Sequence, residues 1–464
     1  MDQIADRVLV AGTGIAGAAS AEALLDTGRT VVVYDRTDSE RLRELESRGA
    51  GVAAAEEFDP SLLEGVEQVV VSPGFPPGHP LAKAAAERGI ETYSEPELAW
   101  RLRGPEAPRW LAVTGTNGKT TTTTMLAAML KAAGLRTAAL GNIGEPLVHA
   151  ANGPYDVLAV ELSSQQLHWS RLLAPTAGAM LNLAADHLSW HGGFDAYSKA
   201  KTAVWRGQAA VFNRDDPAVA ALAEHANARS TAFTLGEPEP GAFGVALGHL
   251  VDYTGGSPVP ICSVDEVRPA GAHNVANALA AAALASHVGV GPDAVARAVR
   301  DYSPEPHRNV VVATVPTGEG AGIRWVDDSK ASNPHAAAAA LAAYDPVVWI
   351  AGGQLKGVDV SDLVERFASR MRAAVLIGVD RAEIADAFAR HAPSVPLVVL
   401  DGEDDSVMTD VVTAAAAHAR PGDTVLLSPA AASYDMFDSY AHRGRAFAAA
   451  IGQTLGMNTA GGDA

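Results

Sequence analysis

Thr114-Gly115-Thr116-Asn117-Gly118-Lys119-Thr120-Thr121 is the stretch on which the reading of this chain turns. The apolar run Trp110 to Val113 feeds straight into it, and a long helix-forming segment follows. A glycine-rich loop between a strand and a helix presents backbone N–H groups and a helix N-terminus to phosphate oxygens. Lys119 can then reach the terminal phosphates and the Thr120 hydroxyl can bind Mg²⁺, which makes ATP the natural ligand. The general pattern has a glycine five residues before Gly118, where this chain has Val113. Read alone, the loop is either a phosphate site or a structural turn.

Outward from the loop the same rhythm repeats. Further strands are predicted at Val157 to Leu162, Ala179 to Asn182 and Ala209 to Asn213, alternating with helices as a parallel sheet requires. The segment Ser230 to Glu266 is rich in Gly, Pro and short β-prone runs and predicts an antiparallel flap at one sheet edge. His273 to Val288 predicts a helix. Upstream, strand Arg7 to Ala11 leads into Gly12-Thr13-Gly14-Ile15-Ala16-Gly17, a helix, and strand Thr30 to Tyr34 ending at Asp35, 18 residues past Gly17. That is a dinucleotide-type turn, and by itself it suggests NAD with Asp35 on the ribose. A further strand, Gln68 to Val71, stops at Ser72-Pro73-Gly74, and Gly104 to Pro108 reads as a linker.

Downstream of His307-Arg308, strands are predicted at Arg324 to Asp327, Val347 to Ala351, Ala374 to Ile377, Leu397 to Leu400 and Thr424 to Leu427. The alanine run Ala336 to Ala340 suits a helix, and Gly456 to Ala464 reads as a disordered tail. The expectation is an α/β chain of three domains. Residues 1–106 form a Rossmann-like domain, 107–308 a central P-loop domain on a parallel sheet, and 309–464 a second Rossmann-like domain.

Composition narrows the function classes. The chain has 464 residues, 48% hydrophobic and 19% charged, enough for several cores. A formal charge of -19 argues against a protein that coats nucleic acid, so any phosphate must be bound locally. The single cysteine, Cys262, excludes an internal disulfide and a cysteine metal cluster. The start, Met1 to Asp6, carries acids where a secretion signal carries bases. No apolar run approaches the roughly 18 to 20 residues of a membrane helix. A cytoplasmic protein without membrane insertion is expected.

Other motifs follow in order. Asn142 lies in Gly141-Asn142-Ile143-Gly144, and Glu161-Leu162-Ser163-Ser164-Gln165-Gln166-Leu167 comes next. Then come Asn182, Asp186-His187, Lys201, His273-Asn274-Val275-Ala276-Asn277, His307-Arg308, Asp327-Asp328-Ser329-Lys330-Ala331-Ser332-Asn333 and Ser428-Pro429-Ala430-Ala431-Ala432-Ser433. With the shortened loop, this series resembles the Mur ligase and folylpolyglutamate synthetase superfamily over essentially the whole chain.

The resemblance implies an ATP-dependent ligase that joins a carboxylate to an amino acid through an acyl phosphate, in cytoplasmic peptidoglycan precursor synthesis. It implies ATP contacts at Gly115 to Thr121, with Asn274 and Asn277 at adenine, Asp328 at ribose, and Arg308 and Lys330 near phosphate. Two Mg²⁺ ions would be shared by Thr120, Glu161, His187 and Lys201, the lysine as a CO₂-derived carbamate. Lys119, Glu161, His187, Lys201 and Lys330 would then be the catalytic set. The glycine-turn domain resembles a binder of UDP, with Ile15, Ala16, Asp35, Arg36, Ser72, Gly74 and Asn142 as contacts.

The compact first domain and the lack of an Asp-Asn-Pro-Arg motif favour the branch that adds D-glutamate to UDP-N-acetylmuramoyl-L-alanine, acting as a monomer. Lys356, Ser332, Ser433, Tyr434 and Tyr440 resemble its amino-acid pocket. Gln165, Ser332 and Tyr440 depart from the pattern, where Phe, Thr and Phe are usual, and leave L-glutamate open. A folylpolyglutamate synthetase shares the loop but lacks the leading glycine-turn domain. An NAD oxidoreductase leaves Gly115 to Thr121, Glu161 and Lys330 without roles, and a non-catalytic nucleotide-binding module leaves the same residues idle.

Overall fold

Strands that end in glycine turns and return through helices build three sheets, in a computed structural model that describes residues 3–226, 228–318, 321–402 and 404–456. In the first, Gly51–Ala54, Thr30–Asp35, Arg7–Ala11, Gln68–Val71 and Glu91–Ser94 lie side by side in that order, all parallel. The turn after Arg7–Ala11 needs its glycines: a Cβ on Gly17 would lie 1.9 Å from the Gly12 carbonyl oxygen, and Gly12 itself has φ +94°. The two edge strands were not predicted, being four residues each and, at Glu91–Ser94, polar in composition.

The second sheet runs Val259–Ser263, His249–Asp252, Phe243–Ala246, Arg229–Phe233, Ala209–Asn213, Ala177–Met180, Arg109–Thr114, Val157–Glu161 and Ala139–Gly141. Its interior strands are buried on both faces, which is why Val157–Glu161 reads as an unbroken apolar run ending in an acid. The expected flap is partly corrected. Arg229–Phe233 pairs parallel with Ala209–Asn213 and belongs to the main sheet, and only Phe243–Ala246, His249–Asp252 and Val259–Ser263 make antiparallel pairs. The third sheet is ordered Val310–Val315, Ile323–Asp327, Thr424–Leu427, Val347–Gly352, Met371–Ile377 and Leu397–Val399, parallel except for the unpredicted first strand. Ala336 to Ala340 lie in the helix Pro334–Ala342. The helix Tyr440–Leu455 is closed by Gly456 at φ +63°; the rest of the expected disordered tail lies outside the described residues. Among the described residues no helix is long and apolar enough to cross a membrane.

Contacts divide the chain into two units, Met1–Val267 with Val275–Tyr302, and Arg268–Asn274 with Ser303–Ala464. The first unit holds the first two sheets, joined through one apolar cluster that runs from Val8 and Val10 to Leu158 and Trp205. The short helix Glu95–Arg101 fastens them. Glu97, fully buried, accepts the backbone N–H groups of Arg171, Leu172 and Leu173 at 3.0 Å and the Arg101 guanidinium at 3.1 Å. Glu95 accepts the Val148 N–H at 2.8 Å, and the Ser94 hydroxyl donates to the Gln166 carbonyl at 2.9 Å. Three backbone donors and the Arg101 guanidinium thus satisfy the buried Glu97 carboxyl.

Glu95 has no such cation, and burial raises its pKa from 4.5 to about 7 against the Val148 and Leu147 amides. Because the folded value lies above the unfolded one, the linked stability is complete below pH 4.5 and is lost as pH rises through 7. The shift corresponds to about 3 kcal/mol. Glu95→Gln keeps an acceptor for Val148 without the charge. Its melting temperature should gain on the parent between pH 5 and pH 8, and parallel melting curves across that range would refute the assignment.

Candidate active site

Gly118 opens the helix Lys119–Ala132 in the left-handed region, φ +81°, and a Cβ there would lie 2.4 Å from Asn277 Oδ1. The loop is pinned from beneath. Thr116 N–H donates to Asn182 O at 3.0 Å, Asn117 N–H donates to Asn182 Oδ1 at 2.8 Å, and the Asn182 amide returns a bond to Asn117 O at 3.1 Å. Asn182 therefore acts as a strut that holds the turn. Lys119 Nζ folds onto the carbonyls of Gly115 at 3.0 Å and Thr116 at 2.8 Å.

Below the helix N-terminus, Thr120 Oγ1 donates to Glu161 Oε2 at 2.7 Å, and Asn142 Nδ2 donates to Glu161 Oε1 at 2.8 Å. Glu161 is 2% exposed. Its place follows from register, since Val113 and Gly141 flank it on the neighbouring strands. Asn142, expected at the UDP group, follows the strand beside Glu161, and its side-chain amide donates to that carboxylate.

Lys201 ends the helix Phe194–Lys201 fully enclosed, 2% exposed, with Nζ donating to Gly115 O at 2.8 Å and Thr114 Oγ1 at 3.3 Å. Burial, reinforced by the Lys119 charge, pushes its pKa well below the usual lysine range. Tyr197, one turn earlier, places its ring 4.8 Å from Nζ and shares a 2.7 Å hydrogen bond with Thr116 Oγ1. Sequence reading missed Tyr197, although four-residue spacing from Lys201 puts both on one helix face. His187, at φ +51°, precedes the helix Leu188–His191, its ring half-exposed and 3.7 Å from Asp186 Oδ2.

At the first sheet, Asp35 accepts bonds from Thr13 N–H, Thr13 Oγ1 at 2.6 Å and Arg36 N–H at 2.6 Å. Burial alone would raise its pKa, but these bonds outweigh it and hold the carboxyl below the usual range. Ser72 Oγ is buried against the glycine turn, 2.8 Å from where a Gly12 Cβ would stand, and has no hydrogen-bond partner among the described residues. Ile15, Arg36 and Gly74 are exposed around the turn, and Ala16 is half-buried.

The second unit gathers the remaining residues. Asp328 accepts from Ser428 Oγ at 2.8 Å and Asn309 N–H at 3.1 Å, and burial raises its pKa to about 7 against those bonds. Lys330 Nζ stands 3.7 Å over the Tyr440 ring. Asp327 holds His307 Nδ1 at 2.6 Å, and Arg308 is half-buried between two positive-φ residues, His307 and Asn309. Arg443, absent from the sequence reading, is 1% exposed and donates to Ser329 Oγ, Ser329 O, Gly352 O and Ala431 O. Ser332 and Lys356 are exposed, Lys356 at φ +56°; Ser433 is buried and Tyr434 is 68% exposed. Of the two amides expected at adenine, Asn277 packs on Gly118 in the first unit, while Asn274, donating to His273 at 3.0 Å, falls in the second.

Three family models match in sequence: the Mur ligase MurD-like N-terminal domain over residues 6–94, the Mur ligase middle domain over 113–285, and the Mur ligase glutamate ligase domain over 307–431. The chain belongs to the Mur ligase family. Within it, the chain is 49% identical over 459 residues to the UDP-N-acetylmuramoylalanine--D-glutamate ligase of Thermobifida fusca (strain YX), covering 95% of this chain and 97% of that one. It is 51% identical over 461 residues to the enzyme of that name from Frankia casuarinae, covering 96% and 93%. Solved structures with the same fold include the UDP-N-acetylmuramate-alanine ligase MurC of Thermotoga maritima (TM-score 0.58, 18% identity, covering 97% of this chain and 99% of that one) and MurF of Acinetobacter baumannii (0.59, 17%, covering 96% and 93%).

The Gly118 geometry sets a test. Gly118→Ala adds positive-φ strain and a Cβ against Asn277, so a loss of about 1 to 3 kcal/mol is expected in denaturant unfolding. An unchanged midpoint would contradict the loop geometry described.

Proposed function

We propose that this chain joins D-glutamate to UDP-N-acetylmuramoyl-L-alanine with ATP, in the cytoplasm, as a step of peptidoglycan precursor synthesis. The observation that carries the reading is the Thr120–Glu161 bond of 2.7 Å at the mouth of the phosphate loop, which sets a hydroxyl and a carboxylate where a nucleotide's magnesium needs hard ligands. The relatives' names supply the substrates.

In this reading the substrate carboxylate oxygen attacks the γ-phosphorus and the bond to ADP breaks. The glutamate amine then attacks the acyl carbon, gives up a proton, and expels phosphate. The protein positions the reactants and neutralises charge. Lys119 leaves its two loop carbonyls for the β- and γ-phosphates. Asn277 packs on Gly118 beside the loop; Asp328, Arg308 and Lys330 are the further residues this reading gives to the nucleotide. Ser72 Oγ, buried without a partner beside the glycine turn, is a ready donor for a diphosphate oxygen, and Asp35 holds the turn in shape through Thr13. Lys356, Ser332, Ser433, Tyr434 and Tyr440 receive the amino acid.

Two Mg²⁺ ions fit the donor set, held by Thr120, Glu161, His187 and a carbamate on Lys201, where they would offset phosphate charge. Among the described residues no three or more His, Cys, Asp and Glu converge on one point, so part of the coordination must come from Lys201 and the substrates. A buried lysine whose amine is pushed toward its neutral form is suited to the carbamate: nitrogen adds to CO₂ and a proton leaves.

Phosphate release in the presence of the UDP-muramoyl acceptor should depend on D-glutamate, with L-glutamate as the contrasting arm. Lys119→Ala and Glu161→Gln should each lower kcat at least about 100-fold with the fold intact. Release that ignores the amino acid would defeat the assignment. Removing dissolved CO₂ should lower turnover and bicarbonate should restore it; indifference to both would remove the carbamate.

A further inference from the structure

The loops that carry Lys356 and Ser433–Tyr434 meet at a third, the turn after the strand Met371–Ile377. Asp380, in that turn, accepts the Leu355 N–H at 2.7 Å, and its own N–H donates to Gly353 O at 3.2 Å. The residue before it, Val379, donates its N–H to Asp435 Oδ2 at 2.9 Å. Leu355 immediately precedes Lys356, and Asp435 immediately follows Tyr434. One two-residue stretch, Val379–Asp380, therefore grips both loops next to their functional side chains.

The surroundings leave little slack. Gln354 and Ala432 exchange backbone bonds of 2.9 and 3.0 Å, but that bridge restrains only the bases of the loops. A Cβ on Gly353 would lie 2.1 Å from Ala432 O, and one on Gly378 would lie 2.4 Å from Gly353 N and 2.7 Å from Asp435 Oδ2. Both glycines have positive φ, +130° and +84°. Asp435 Oδ1 is buried with no hydrogen-bond partner among the described residues, an unfavourable arrangement unless the other oxygen's bond is worth keeping. Lys356, at φ +56°, has a backbone that its own side chain disfavours, so its conformation is imposed by neighbours.

We propose that Asp380 and Asp435 are positioning residues which, by anchoring both loops on the turn Gly378–Asp380, fix Lys356 relative to Ser433 and Tyr434 and thereby set the affinity for the incoming amino acid. This rests on the reading of those three residues as the amino-acid pocket. A dicarboxylic amino acid must meet cation and hydroxyl groups at one separation, and a shift near 1 Å in that separation is enough to weaken binding strongly.

The test uses the full chain and phosphate release, with D-glutamate, ATP and the UDP-muramoyl acceptor varied in turn. Asp435→Ala and Asp380→Ala, made separately, should each raise the KM for D-glutamate about tenfold or more, with the KM values for ATP and acceptor within about twofold of the parent. Asp435→Asn, which keeps an oxygen for the Val379 N–H, should restore the KM for D-glutamate to within about twofold. Folding is checked by thermal melting, and either alanine variant suffices if the other does not fold. An unmoved KM for D-glutamate, a uniform rise in all three KM values, or Asp435→Asn as impaired as Asp435→Ala would overturn the proposal. Parent enzyme that turns over without D-glutamate would instead overturn the pocket assignment beneath it.

Discussion

The constraint on which the central domain turns is the placement of one carboxylate, Glu161, at the end of a fully buried strand. A buried carboxyl there needs partners, and the protein supplies them with Thr120 from the helix above and Asn142 just past the strand beside it. Those bonds make the phosphate loop, the helix Lys119–Ala132 and two parallel strands mutually dependent. The parallel register decides the rest: Val113 lies opposite Glu161, so the residues that follow it on one strand and the acid that ends the other arrive at the same sheet edge.

Around that point the structure concentrates groups that would be unfavourable elsewhere. Lys201 is buried with its amine on Gly115 O and Thr114 Oγ1, and Lys119 rests on the same Gly115 carbonyl. His191 is buried nearby, its Nε2 2.9 Å from Ser164 Oγ and its Nδ1 unpartnered; burial, with the charges of His168, His187 and Lys201, lowers its pKa to about 4. Strained and under-satisfied groups of this kind collect where a ligand is meant to complete them.

Much of this was legible in the sequence because parallel sheets write their interior strands as apolar runs and their functional turns as glycines. Arg7 to Ala11, Gln68 to Val71 and Ala209 to Asn213 were read to the residue. The strands Gly51–Ala54, Glu91–Ser94 and Ala139–Gly141 were missed because an edge strand is short or carries polar residues, and it owes its conformation to a neighbour rather than to its own composition. Val310–Val315, six residues and mostly β-branched, was missed although its apolar run stood in the sequence. Glu161 was readable as an acid closing an apolar strand. That Asn142 faces Glu161 was not legible, because only register shows which carboxylate lies beside it. Arg443 and Asp435 carried no signal at all: apart from the Ser329 hydroxyl their partners are backbone atoms, and backbone atoms have no letters in a sequence.

The anchoring of Glu97 has a consequence for synthesis of the chain. Its three backbone donors, Arg171 to Leu173, are 74 to 76 residues further on. As the polypeptide leaves the ribosome, the first sheet can pair its own strands, but the acid at its exit has only Arg101 from its own helix until the chain has emerged past Leu173. The leading domain is thus born incomplete, and its final tightening is timed by its neighbour.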